Sequence, residues 1–138
     1  RGFASRKSQV VRTTAYTHTE ADHLEYGQAN ALGSQLQCTR EYTSAAADWS
    51  RFPLGTTFRI KGSDVVYIVD DYGRALVGTD TIDIYRPCKG TMKEWGVRNV
   101  EIEILEEGSV SASREVLSSR LHYAHCRSMF DALEGHHS

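Results

Sequence analysis

A chain of 138 residues, with 16 Lys and Arg against 18 Asp and Glu and a net charge of −2, fits a single domain and makes nucleic acid or an anionic membrane a poor partner. Its 40% hydrophobic and 25% charged content is that of an ordinary soluble globular domain, large enough to bury a core without metals or several disulfides. No apolar run approaches the roughly 18 residues that suggest a membrane span, and the spacing of Cys38, Cys88 and Cys126 resembles neither a zinc site nor a redox C-x-x-C.

The chain starts at Arg1 rather than Met, which suggests processing behind an N-terminal signal or anchor segment. Residues 1–9 are polar and basic and read as a leader into a first strand, Val10 to Tyr16. From Thr17 to Ala47 the chain is rich in Ser, Thr, Gly, Asn and Gln, and reads as a long irregular excursion of the kind that is usually functional or disordered. Phe52-Pro53-Leu54-Gly55 turns into a strand at Thr56 to Ile60, and Lys61-Gly62-Ser63-Asp64 turns into Val65 to Asp71, a hairpin pattern. Thr81 to Tyr85 is a short strand with Ile82 and Ile84 on one face, so Asp83 points the other way beside Tyr85. Thr91 to Trp95 predicts one helical turn closed by Gly96, and Val97 to Leu105 a last strand. Ser113 is read as the N-cap of one helix running to about Leu133, with Leu117, Leu121, Ala124 and Leu133 as its apolar stripe. The closing histidines are assigned no function. Short strands between Gly-containing turns predict a mainly β fold, a small barrel with an appended C-terminal helix.

The chain has no phosphate-cradling glycine loop, no G-x-S-x-G elbow and no H-E-x-x-H. Its candidates for chemistry are carboxylates at strand ends. Asp83 sits within a strand, where Asp is disfavoured, although a solvent-facing Asp83 reads equally well from the pattern. Asp71 before Tyr72-Gly73 and Asp48 before Trp49-Ser50 each also read as turn caps. No metal or other cofactor is expected.

Taken together, five blocks resemble the three-aspartate domain of lytic transglycosylases and stationary-phase survival proteins. They are Thr14-Ala15-Tyr16, the segment from Asp48 to Gly55 with its Pro-Leu-Gly, the loop from Asp71 to Gly78, Thr81-Ile82-Asp83-Ile84-Tyr85, and Trp95 to Leu105. The loop departs from the family's Asp-Thr-Gly-Gly-Ala-Ile-Lys-Gly at Tyr72, Arg74 and Val77, and Asn30-Ala31-Leu32-Gly33 resembles its Thr-Ala-Ser-Gly only loosely. The resemblance implies a six-stranded double-psi β-barrel over residues 13–105, with residues 1–12 as leader and residues 106–138 as a helical extension. It implies cleavage of peptidoglycan between its two amino sugars to give 1,6-anhydro products, outside the cytoplasm, by a protein expected to act as a monomer. The catalytic role falls on Asp83, with Asp71 and Asp48 in support. Thr14, Tyr16, Tyr72, Gly73 and Arg74 become candidates for binding the glycan. A non-catalytic wall-binding barrel and a hydrolase using Asp71 or Asp48 as water-activating base stand as alternatives. If a disulfide exists, Cys38 and Cys88 are the expected pair, because a bridge would tether the excursion to the segment after Asp83.

Overall fold

A computed structural model describes residues 7–18, 29–39 and 41–136. The start of the leader (1–6), the stretch 19–28 of the expected excursion, and the end of the histidine tail (137–138) lie outside the described residues. Strands β1 (Lys7–Tyr16), β2 (Thr43–Ala46), β3 (Thr57–Ile60), β4 (Val66–Asp71), β5 (Ile82–Tyr85) and β6 (Arg98–Glu106) close into a barrel in the order β1-β5-β2-β4-β3-β6. The β1–β5 and β2–β4 pairs are parallel and the other four antiparallel. Closure pairs every strand on both sides, so these six strands leave no open sheet edge.

Alternation decides what fills the barrel. Val11, Phe58, Tyr67, Val69, Ile82, Ile84, Ile102 and Ile104 turn inward and are buried together. The expected hairpin is present as β3 and β4, turning through Gly62 at φ 90°, a left-handed conformation that favours glycine. Strand β1 begins at Lys7, three residues before the expected start, because its first residues pair with the far end of β6.

The excursion expected up to Ala47 contains the sixth strand, β2, which lies between β4 and β5. Its sequence, Thr-Ser-Ala-Ala, lacks alternation and holds only one branched side chain, Thr43, because both its faces are covered: Ala45 belongs to the barrel core, and Ala46 to a second apolar cluster outside it. Small residues fit a strand sandwiched in this way, and they carry no strand signal.

The single helix expected from Ser113 is two helices, α2 (Val110–Ser118) and α3 (Ala124–His136), following the shorter α1 (Lys89–Trp95). Ser109 is the N-cap of α2, its side chain accepting from the Ala112 N–H. Ser118 and Ser119 end the helix, turning their hydroxyls back on the carbonyls of Glu115 and Val116, the competition that makes serine a weak interior residue. Leu117, Cys126, Met129 and Leu133 join the barrel core, whereas Leu121 is only half-buried and Ala124 is exposed. α1 ends as expected at Gly96, whose φ of 65° closes the turn.

Ser113 instead joins the helices to the Pro-Leu-Gly turn. Its hydroxyl accepts from the Leu54 N–H at 2.9 Å, the Ser109 N–H donates to the Leu54 carbonyl, and the Gly108 N–H donates to Thr56 Oγ1. The cysteines stay apart: Cys38 is bridged through its backbone to Thr43, Cys88 caps α1, and Cys126 is buried on α3. All three are unpaired, so the Cys38–Cys88 bridge is not formed.

Gly108 lies so close to the turn that an added Cβ would fall 2.4 Å from the Pro53 carbonyl oxygen and 2.6 Å from the Thr56 nitrogen, both of them backbone atoms. Gly108→Ala should therefore lower the unfolding free energy by about 2–3 kcal/mol in urea titrations, within the range of overpacking. A variant unfolding at the wild-type midpoint would contradict this close contact.

Candidate functional site

The carboxylate site forms on the outside of the barrel. In β5, Ile82 and Ile84 are buried in the core and the intervening Asp83 faces outward, half-buried. Parallel pairing with β1 sets Thr14 beside Asp83 and Tyr16 beside Tyr85. The Thr14 hydroxyl donates to Asp83 Oδ1 at 2.8 Å. The Tyr16 hydroxyl donates to Asp71 Oδ2 at 3.1 Å. On β2, Ala46 is in register with both Asp83 and Asp71, which places their Cα atoms two strand spacings apart, about 10 Å. The floor is the second apolar cluster, Tyr16, Leu36, Ala46, Leu76 and Tyr85, with the Tyr16 and Tyr85 rings edge to face at 5.7 Å. At its rim the Tyr85 hydroxyl lies 2.9 Å from His18 Nδ1.

Asp48 is placed differently. It is 2% exposed, and its Oδ1 accepts from both the N–H and the hydroxyl of Ser50. Its Oδ2 accepts from the Gly78 N–H at 2.7 Å. These bonds cap the turn after β2 and hold the far end of the loop that leaves Asp71, where Gly78 sits at φ 86°. The start of that loop is fixed by Trp49, whose indole N–H donates to the Asp71 carbonyl at 2.9 Å.

Burial dominates the electrostatics. Asp71 is 5% exposed, and burial, followed by the nearby charge of Asp70, raises its carboxyl to about 7 against the opposing hydrogen bonds from Tyr16 and the Tyr72 N–H. Asp70 is raised as well, by burial, while hydrogen bonds from Ser44 at 2.7 Å and Asn30 at 3.1 Å hold it back. Tyr16 is pushed well above the usual tyrosine value by burial and then by Asp71, Asp70 and Asp83, so at neutral pH it remains a hydroxyl donor.

Thr14, Tyr16, Asp71 and Asp83 thus converge, and Asp48 braces them from behind. Tyr72 turns the other way: its ring meets Trp49 edge-on at 5.1 Å, and its hydroxyl accepts from Arg120, which also donates to the Ala31 carbonyl. Gly73 precedes a short 3-10 turn, Arg74–Leu76, and has Leu76 3.2 Å from where a Cβ would sit. Arg74 is exposed on that turn. The sequence reading did not single out Ser44, Asp70, His18 or Tyr85 for the site. The run Asp70-Asp71 carried a signal, since a carboxylate pair closing an apolar strand needs polar partners. Nothing marked Ser44 within a stretch read as loop. Among the described residues no group of three or more His, Cys, Asp or Glu is arranged to hold a metal ion.

Residues 43–106 match the family model of the 3D domain, a span running from the first residue of β2 to the last of β6. No curated protein matched the chain. β1, which supplies Thr14 and Tyr16, precedes the matched span, and α2 and α3 follow it.

The raised carboxyl of Asp71 has a consequence for stability. Between the unfolded value near 4 and the folded value of about 7, the native state binds a proton that the unfolded chain releases. Its contribution to stability is therefore complete below about pH 4 and is lost as the pH rises through about 7. Asp71→Asn cannot ionise, so the urea midpoint of the wild type should fall relative to this variant between about pH 5 and pH 8. A constant difference across that interval would contradict the buried, proton-retaining Asp71.

Proposed function

With residues 43–106 forming a 3D domain, we propose that the protein is a peptidoglycan lytic transglycosylase acting outside the cytoplasm, with Asp83 as its single general acid and base. The observation that carries this reading is the unequal accessibility of the three aspartates. Asp48 and Asp71 are 2% and 5% exposed and spend their oxygens on the protein's own donors, whereas Asp83 is half-buried on an outer strand face where a ligand can reach it.

One reachable carboxyl is enough for a reaction whose nucleophile belongs to the substrate. Asp83 donates its proton to the glycosidic oxygen as the bond from muramic C1 to that oxygen breaks. The C6 hydroxyl of the same ring then attacks C1, and Asp83 takes its proton, closing a 1,6-anhydro ring without consuming water. Tethering of the nucleophile supplies the effective concentration that a hydrolase must obtain by holding a water. Thr14 orients Asp83 through its hydroxyl. Tyr16 and Asp71 form the polar wall beside it, and an ionised Asp71 adds negative potential, which holds protons on its neighbours. Tyr16 and Tyr85, both buried, form the floor beneath the sugar, and Arg74 stands exposed for the glycan. Tyr72 and Gly73 serve the loop's packing. Hydrolysis with Asp71 or Asp48 as base is disfavoured by the burial of both, since a water-activating carboxylate must reach a water held against the sugar.

Asp83→Asn should fold as the wild type does and lose about 10²–10⁴-fold of its release of anhydro-muropeptides from purified peptidoglycan. Asp71→Asn and Asp48→Asn should lose less, since neither transfers the proton. Chromatography with mass detection reads the products, and equal rates for wild type and Asp83→Asn would overturn the assignment. Binding without cleavage by the wild type would leave a wall-binding barrel in its place.

A further inference from the structure

An open cavity of about 640 Å³ lies at the barrel end where β3 and β5 finish and β2 and β4 begin. Its walls include Cys38, Thr43, Asp64, Tyr67 and Arg86, and it shares no residue with the carboxylate site. Two opposite charges face this one space. Arg86 is half-buried and held in place: Nη1 donates to the Tyr85 carbonyl at 3.1 Å, and the guanidinium lies 5.0 Å from the centre of the Trp95 ring. A guanidinium has five N–H donors, and the bonds to the Tyr85 carbonyl and, at 3.5 Å, to the Tyr67 hydroxyl use two of them. Asp64, exposed on the β3–β4 turn, presents a carboxylate. A guanidinium and a carboxylate on one cavity suit a ligand carrying both a carboxylate and an ammonium group.

Arg86 follows Asp83 by three residues along the direction of β5, a separation of about 10 Å. About three residues of extended peptide cover that distance. The geometry points to a subsite for the peptide stem of peptidoglycan, in which Arg86 takes a carboxylate and Asp64 the free amine of the stem's diamino acid while the attached muramic residue lies at Asp83. This assignment rests on the reading that the chain acts on peptidoglycan. It adds to that reading a reason for the enzyme to distinguish peptide-bearing from bare glycan.

The protein's own thiols test the assignment without using catalysis. Cys38 lines the cavity and is exposed; Cys88 is also exposed but lies outside the lining, and Cys126 is buried. Iodoacetamide labelling followed by peptide mass mapping, with and without a synthetic stem tetrapeptide carrying a diamino acid with a free amine, reads both sites at once. The tetrapeptide should slow alkylation of Cys38 and leave Cys88 unchanged. Asp64→Asn and Arg86→Gln should each raise the concentration needed for protection about tenfold. Asp64→Asn keeps the test sound if Arg86→Gln disturbs the packing on Trp95, because Asp64 lies on an exposed turn. Unchanged Cys38 labelling at millimolar tetrapeptide, or equal protection in the wild type and Asp64→Asn, would overturn the subsite. Cleavage assays keep this failure distinct from failure of the catalytic reading. Equal release of anhydro ends from peptide-bearing and peptide-stripped glycan, without protection of Cys38, overturns the subsite alone. Protection of Cys38 by a protein that cleaves neither glycan upholds the subsite and overturns the catalytic role.

Discussion

Two donors, the Ala47 N–H and the Trp49 indole N–H, converge on the carbonyl oxygen of Asp71, and the arrangement of the site depends on that junction. It ties the chain leaving β2 to the last residue of β4, two strands that run parallel and so cannot be joined by a tight turn. Asp48, between the two donors, completes the junction by capping Ser50 and gripping Gly78. The loop from Asp71 to Gly78 is thus fixed at both ends by residues 47–49. Trp49 also packs against Tyr72 and donates its backbone N–H to Met129 Sδ at 3.4 Å, which carries the constraint into α3. The C-terminal helices are part of this support: Arg120 in the break between them reaches both Tyr72 and Ala31.

The electrostatic character of the site follows from the same closure. Asp71 is buried because β2, the loop and the residues around Asn30 surround it, and its proton is retained to about 7 because burial outweighs the hydrogen bonds from Tyr16 and from the Tyr72 and Ala31 backbones. Asp83 escapes that burial because β5 lies between β1 and β2 and turns its outer face to the rim, where the Thr14 hydroxyl donates to it. One strand position separates a carboxylate built into the wall from one presented to a ligand.

Much of this architecture was legible in the sequence. Ile82 and Ile84 fixed the direction of Asp83, and the turn residues around Gly62 fixed the β3–β4 hairpin. β2 was not legible, because Ala45 and Ala46 are chosen for tight contact on both faces, and tight contact selects small side chains without periodicity. The break between α2 and α3 was also missed, since Leu117 and Leu133 continue one stripe across it while Ser118 and Ser119 end the helix locally. The turn-cap reading of Asp48 describes its bonds to Ser50. Its grip on Gly78, thirty residues away, is a tertiary contact that no local pattern announces. The ring and hydroxyl of Tyr72 are used by Trp49 and Arg120.

The central claim is that the substrate's own hydroxyl, rather than water, completes the reaction at Asp83. Digestion of purified peptidoglycan in water enriched in ¹⁸O, followed by mass analysis of the released ends, tests it directly. The account predicts 1,6-anhydro ends lighter by one water than hydrolysed ends, with no ¹⁸O incorporated. Reducing ends carrying one ¹⁸O would show that water is the nucleophile and contradict it.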